Sequence, residues 1–342
     1  MKNKISNFSK NSIFLKEKEK MDKPLVSVIA LCYNHAPYVE ESLASVLAQT
    51  YQPIQLIVVD DASNDESVKI IQQFVNNQNN NEEVKFIRLT ENVGNCKAFN
   101  IGLAQAEGKY VIDLASDDVL LPHCIESQVN HFEKLGEEYG VVFSDVHLID
   151  EKSKVIGQFY KRDKTGKLLQ KVPSGEVYTK VLAKSFISAP SMMIRKKVLE
   201  EIGGYDQSLS YEDYDFWART SKKYKYFFIN DILVKKRILK HSHGKAFYLK
   251  RNNKHLLSTL KIHEKALAQN QTQEENLALA ISVRYHLRLS FFTENFDLVF
   301  KFAEILQKMQ LLSWKDRFFI LLSKYKISVY HLYKLFLRWR ES

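Results

Sequence analysis

The run Tyr110-Val-Ile-Asp-Leu-Ala-Ser-Asp117-Asp118 carries a mostly apolar segment straight into two adjacent carboxylates. Neighbouring carboxylates repel one another, so the pair needs a cation or open water. A hard divalent ion takes oxygen ligands and can hold a phosphate with its other positions. In α/β sheets, ligands bind in the crevice beyond the C-terminal ends of strands, which is where this pair falls. A single Asp-Asp also suits a plain solvated turn. Here the theme repeats: Ile54-Gln-Leu-Ile-Val-Val59 stops on Asp60-Asp61, and a third acid pair, Glu212-Asp213, precedes Tyr214-Asp-Phe-Trp217. His241-Ser-His243-Gly244 lies downstream.

The elements that must position these acids are readable from period and punctuation. Leu25–Leu31 is a β-branched run that reads as a buried strand ending in the turn Cys32-Tyr33-Asn34-His-Ala-Pro37. Val39, Leu43, Val46 and Leu47 share a helical face. Ser63-Asn-Asp-Glu66 matches a capping box for a helix through Val75, followed by a polar loop over 76–81. Strands are expected at Val84–Leu89, Tyr110–Ala115 and Val141–Ile149. Between them fall a segment marked by Asn92, Gly94, Asn100 and Gly102, and a helix opened by Pro122. Alternating strands and helices predict an α/β fold with a mostly parallel sheet covered on both faces. The Lys-rich stretch 157–174 reads as a flexible loop over the sheet edge. Ser191–Arg195 reads as a short strand, and Lys197–Ile202 as a short helix ending at Gly203-Gly204. Tyr226–Leu239 is strand-like, and from about Ala246 the pattern is helical to the end.

Three units follow: a basic arm over 1–22, a catalytic domain over 23–245, and a helical extension over 246–342. A chain of 342 residues, 45% hydrophobic, can bury a large core. The net charge of +10 is concentrated at the ends, with +4 in residues 1–20 and +5 in residues 311–342, so the middle is close to neutral. A nucleic-acid-binding core would carry its own basic face, and none is expected here. Three cysteines without metal-type spacing (Cys32, Cys96 and Cys124) favour a reducing compartment. No apolar run has the length of a spanning helix. The expected location is cytoplasmic, peripheral on the inner face of the membrane.

The order of these pieces resembles the inverting glycosyltransferases of family 2, of the bacterial cell-surface polysaccharide type. The resemblance covers residues 24 to about 245. It rests on Val26–Asn34, Ser45-Val-Leu-Ala-Gln-Thr-Tyr51, Ile57-Val-Val-Asp-Asp-Ala-Ser63, Asn92-Val-Gly94 through Gly102, Gly108-Lys-Tyr-Val, Ser116-Asp-Asp118 and Glu212–Trp217. It implies the GT-A fold, a nucleotide-diphosphate sugar donor, expected to be a UDP-sugar, and Mn²⁺ or Mg²⁺. Tyr33 would stack on the nucleobase, or else pack the turn. Asp61 would accept the imide N–H of a uracil, with Asp60 bracing the loop, and Asn34 would join them on the donor nucleotide. Lys97 would meet the diphosphate, or be a solvated helix lysine. Asp117 and Asp118 would hold the metal, with Asp117 also near the ribose, and His243 would add a further metal or phosphate contact, with His241 competing. Asp213 matches the general base, and Glu212 would orient it or hold the helix start.

Two departures narrow the resemblance. Leu31-Cys32 replaces the family's common Pro-Thr, and Ala115 stands where many relatives have another Asp. Without that acid, the metal should need the donor's phosphates to complete its coordination. Beyond the domain, Trp314, Phe318, Phe319, Tyr325, Tyr330, Tyr333, Phe336 and Trp339 alternate with Lys and Arg. Such a mixture suits helices lying in an anionic membrane surface, near a lipid-linked saccharide acceptor, although a packed subdomain with a basic face has the same pattern. Hexosyl or N-acetylhexosaminyl transfer is the expected reaction. A sugar nucleotidyltransferase would need a Gly-rich loop after the first strand, and a non-catalytic nucleotide-sugar-binding relative would lack the acids.

Overall fold

The computed structural model describes residues 23–78, 84–239 and 246–341. The arm over 1–22 and the 241–243 segment, with both candidate histidines, lie outside the described residues. Among the described residues nine strands form one mixed sheet: β1 (Val26–Cys32), β2 (Ile54–Asp60), β3 (Val84–Arg88), β4 (Tyr110–Ala115), β5 (Val119–Leu120), β6 (Tyr139–Ile149), β7 (Val155–Gln158), β8 (Met193–Arg195) and β9 (Lys225–Arg237). Their spatial order is β3-β2-β1-β4-β8-β6-β9-β5, with β7 added on β6. β3, β2, β1 and β4 are parallel; β8 runs antiparallel to both β4 and β6, and β6 pairs parallel with β9.

β1 is apolar at almost every position because both faces of the sheet are covered. Val28 and Ala30 point into one core with Val39, Leu43 and Val46 of α1 (Val39–Leu47). Ile29 and Leu31 point into the other with Phe99. Register then fixes the site: Cys32 lies opposite Asp60, and Leu31 opposite Ala115. Both acid pairs therefore leave the sheet at one edge.

Two expectations need correction. α2 (Ser67–Asn77) begins after Glu66 with no side-chain cap, so the Ser63–Glu66 capping box does not form. Ser63 instead donates to Asp60, a tertiary use that outcompetes the local one. The stretch over 157–174 is not a featureless loop: β7 pairs with β6, Arg162 bridges to Leu168, and the Arg162 guanidinium meets buried Asp145 at 2.8 Å. An ion pair between distant residues ordered what local polarity left open.

The remaining helices are α3 (Asn95–Leu103), α4 (Cys124–Phe132), α5 (Tyr178–Ala183), α6 (Lys196–Glu201), α7 (Asp213–Thr220), α8 (Lys254–Gln269), α9 (Gln273–Phe292), α10 (Phe296–Lys308), α11 (Trp314–Lys324) and α12 (Tyr330–Glu341). Capping boxes open α9 (Thr272 with Glu275) and α11 (Ser313 with Asp316). α8 and α9 share a core with the site-bearing side of the sheet, where Leu260, Ile262 and Leu279 join the cluster of Trp217. Hydroxyls lock the contact, Tyr211 with Thr259 at 2.6 Å and Ser210 with Ser258 at 3.0 Å.

Candidate active site

Beyond β1 and β2 the loop is built by side chains that replace backbone pairing. Asp60 is buried; its oxygens accept the N–H and the hydroxyl of Ser63 at 3.0 and 2.6 Å. The Ser63 hydroxyl oxygen accepts the Asn34 N–H at 2.9 Å, and Asn34 Oδ1 accepts the Asn64 N–H at 2.8 Å. Asn34 sits at φ 58°, a left-handed conformation that asparagine tolerates better than most residues. Tyr33 is left 42% exposed at the strand mouth.

Asp61 ties this loop to the next. Its carboxylate accepts the N–H groups of Val93 and Gly94 at 2.7 and 2.9 Å, and Gly94 takes φ 84°, where a side chain would be strained. Each Asp61 oxygen keeps a second lone pair for a ligand. Lys97 is exposed in the first turn of α3. The Asn92–Gly102 motif thus has a structural reason at each end. At Gly102 an added Cβ would lie 2.6 Å from Ile29, so glycine lets α3 press onto β1.

The Asp117-Asp118 turn is held by a residue that sequence reading passed over. The Arg237 backbone N–H donates to Asp118 Oδ1 at 2.7 Å, and its Nε donates to the Asp117 carbonyl at 2.8 Å. The buried guanidinium also meets Glu41 at 2.7 Å and lies over the Tyr38 ring. Burial pushes the Asp118 carboxyl up, and the Asp117 charge adds to the shift. His35 Nδ1 lies 4.0 Å from Asp117 Oδ1, is buried, and has no hydrogen-bond partner. Among the described residues no three His, Cys, Asp or Glu side chains converge as a ready metal cage. Two adjacent carboxylates and an orphaned ring nitrogen nevertheless fit a divalent ion whose remaining positions are filled by phosphate oxygens.

Glu212 occupies the N-cap position of α7 but makes no side-chain cap bond, so it does not hold the helix start, and Asp213 is the first residue of the helix. Asn95 Nδ2 donates to Glu212 Oε2 at 2.6 Å, so the residue after Gly94 joins the nucleotide-side loop to the helix bearing Asp213. Asp213 Oδ1 accepts the Tyr214 N–H at 2.6 Å. Burial raises the Glu212 carboxyl to about 8, with help from the charges of Asp113 and Asp213. Burial also raises Asp213, while the Tyr214 N–H and Lys236 oppose the rise. Asp113, in β4, was another residue that the sequence reading left without a role. An acid inside a strand covered on both faces was the available signal. The cysteines are unpaired and buried, and burial pushes the Cys32 thiol up to about 12, so it is inert as a nucleophile.

The Glycosyl transferase family 2 profile matches residues 27–203. An uncharacterised glycosyltransferase of Rickettsia prowazekii is 33% identical over 227 residues, which is 65% of this chain and 66% of that protein. One from Methanocaldococcus jannaschii is 31% identical over 251 residues, 72% of this chain and 81% of its own length. Among solved structures, Staphylococcus aureus TarS 1-349 in complex with UDP superposes with a TM-score of 0.65 at 18% identity, covering 88% of this chain and 87% of that one. The mannosyltransferase PcManGT from Pyrobaculum calidifontis, in complex with GDP-Man and Mn²⁺, has a TM-score of 0.55 at 17% identity, covering 89% and 85%. At those identities the likeness is one of fold. The profile match spans more than half of the chain, and the protein belongs to glycosyltransferase family 2, with its GT-A fold.

Proposed function

We propose that the protein is a metal-dependent inverting glycosyltransferase that moves a sugar from a UDP-sugar to a glycan or lipid-linked glycan in cell-surface polysaccharide assembly. The observation that carries this reading is Asp213: a half-buried carboxylate at the start of α7, joined through Glu212 and Asn95 to the loop held by Asp61. Asp213 takes the proton of the acceptor hydroxyl as that oxygen attacks the anomeric carbon. The bond from the anomeric carbon to the diphosphate breaks on the opposite side, so the configuration inverts without a covalent enzyme intermediate. Tyr33 stacks on the base, the free lone pairs of Asp61 accept its imide N–H, and Asp60 and Asn34 keep that loop in shape. Lys97 meets the diphosphate. Asp117 and Asp118 hold Mn²⁺ or Mg²⁺, with His243 or His35 as a further contact. The ion, when bound, neutralises charge on the leaving diphosphate. The UDP bound by TarS and the Mn²⁺ bound by PcManGT support these choices. The test is to supply a panel of nucleotide sugars with Mn²⁺ and a saccharide acceptor and to read the anomeric configuration of the product by NMR. Inversion with a UDP-sugar is expected; retention of configuration overturns the mechanism, and turnover of GDP-sugars alone overturns the base assignment.

The acceptor side of the proposal rests on the last two helices. Trp314, Phe318, Leu321 and Tyr325 of α11 and its end, and Leu332, Leu335, Phe336 and Trp339 of α12, are exposed, with Trp314 at 74% and Trp339 at 76%. Lys315, Arg317, Lys324 and Lys334 stand among them. No helix among the described residues is long and apolar enough to cross a membrane. Apolar anchors with basic neighbours suit a surface of anionic lipid, each basic residue contributing about 1 kcal/mol. Removing residues 311–342 should abolish sedimentation with phosphatidylglycerol vesicles; unchanged binding overturns the membrane assignment.

A further inference from the structure

The helix that carries Asp213 is poorly equipped to hold itself. α7 is 8 residues long, shorter than the roughly 12–15 residues at which an isolated helix becomes even marginal in water. No side chain caps its start. The Tyr214 N–H, one of the groups that a helix start leaves without a backbone partner, goes to Asp213 Oδ1 at 2.6 Å. The direction of the Asp213 carboxylate therefore follows the backbone of the first turn, and that backbone has to be fixed from outside the helix.

Much of what fixes it comes from α8, a helix of the extension that lies beyond the residues matched by the family profile. The two helices run side by side in the same direction, and their partners advance in step. The Ser210 N–H donates to Ser258 Oγ at 2.9 Å, and the two serine hydroxyls meet at 3.0 Å. The Tyr211 hydroxyl meets Thr259 Oγ1 at 2.6 Å. Thr259 donates its own proton to the His255 carbonyl at 2.9 Å, so Tyr211 is the donor of that pair. About one turn on, the Tyr214 ring stands edge-on to His263 with centroids 5.7 Å apart, and Lys265 meets Asp215 at 2.8 Å. In the last turn, where carbonyls lack helical partners, Gln269 Nε2 donates to the Ala218 carbonyl at 2.7 Å. Ser210 and Tyr211 directly precede Glu212, so α8 holds the chain where it enters the helix. Ser258 and Thr259 are both buried, which keeps water from replacing a lost bond there.

We propose that Ser258 and Thr259 of the extension are positioning residues of the transfer reaction: they fix the entry of α7 and so aim the Asp213 carboxylate at the acceptor hydroxyl. This rests on the reading of Asp213 as the base. On the donor side, Asp61 is held by the N–H groups of Val93 and Gly94, and Asp118 by that of Arg237, none of them in α8. The extension thus acts on the attack of the acceptor and not on nucleotide binding. Misplacing a reacting group by about 1 Å can cost about 10²-fold in rate.

The experiment uses the full-length protein and Thr259→Val, which keeps the shape of the side chain and removes the hydroxyl. Hydrogen exchange of the backbone amides over 212–217 is read without substrate. Steady-state transfer with Mn²⁺ and a UDP-sugar is read beside UDP binding by calorimetry. Faster exchange is expected, with kcat lowered about tenfold or more and UDP affinity within about twofold of the parent. Thr259→Ser, which keeps the hydroxyl, should restore both exchange and kcat. Unchanged exchange overturns the proposal, and so does faster exchange with kcat within about twofold of the parent. Equal losses of kcat and of UDP affinity also overturn it, because that is the signature of a general structural role. Should Thr259→Val fail to fold, Ser258→Ala removes the neighbouring bonds and is judged by the same outcomes. The exchange readout does not depend on catalysis, and full activity of Asp213→Asn would remove the base assignment separately, so the two failures are distinguishable.

Discussion

Two regions of this molecule hold acids in opposite ways. In the helical extension, Glu294 is buried after α9 and is met by Lys250 at 3.1 Å, by Arg251 at 2.6 Å and by the Ser328 hydroxyl. Burial pushes its carboxyl up, but these partners outweigh it and hold it at about 2. Asp316 likewise caps α11 and meets Arg284 at 3.2 Å. At the sheet edge, Asp113, Glu212 and Asp213 are half-buried with far less compensation, and all three carboxyls are raised. Acids in the extension hold helices together. Acids at the sheet edge are kept in an environment that a merely structural role does not need, and perturbed carboxyls gathered at a strand edge are the physical mark of a reactive site.

The comparison can be broken most sharply by activity. Asp213→Asn should lower kcat by about 10²–10⁴-fold with donor affinity nearly unchanged, measured by steady-state kinetics and calorimetry. Glu294→Gln should leave kcat per folded molecule as it was. Full transfer activity in Asp213→Asn would remove the base from this account.

Next in size is the dependence of stability on pH. A carboxyl raised by folding contributes stability that is complete below its unfolded value and is lost as pH rises through the folded value. For Glu212 that window runs from the ordinary carboxylate range up to about 8. Urea midpoints should therefore fall between pH 5 and pH 8.5, and Glu212→Gln should recover about 1–3 kcal/mol at the alkaline end. Glu294 has the opposite sign: its contribution is present above the ordinary carboxylate range and is lost as pH falls toward about 2. A parent protein with a flat midpoint from pH 5 to pH 8.5 would erase the contrast between the regions.

The smallest effect belongs to the paired acid itself. Glu294→Gln should cost about 1 kcal/mol at neutral pH, a modest figure because Arg251 is 65% exposed and water screens that partner. Chemical unfolding of the two proteins side by side measures it, and a loss as large as a buried uncompensated charge would place Glu294 in the wrong class.

Much of this was legible from residues alone, and the misses have a common cause. The apolar runs of β1, β2 and β4 and the acid pairs that end them follow from a sheet covered on both faces, a local pattern. The helix at Asp213 was legible from the acids in its first turn. Ser63 was misread because a serine three residues before a glutamate looks like a cap, whereas Asp60 claims its hydroxyl. The hairpin over 155–168 was missed because Asp145, the partner of Arg162, is 17 residues away. Arg237 was missed because its contacts with the Asp117-Asp118 turn span about 120 residues of chain.

The sequence by itself determined the longer strands, where they deliver carboxylates, and the family to which their order belongs. Near-continuous apolar runs and the abrupt change from apolar to acidic residues are local, and local patterns survive without coordinates. Tertiary structure alone decided what each carboxylate faces. Asp61 is engaged by two backbone N–H groups some thirty residues on, Asp118 by a strand from the far side of the sheet, and Asp213 shares its surroundings with Asp113. Ionisation depends on burial and on neighbouring charge, and both are set by contacts between distant parts of the chain. That is why the acids could be found in the sequence while the division of labour among them could not.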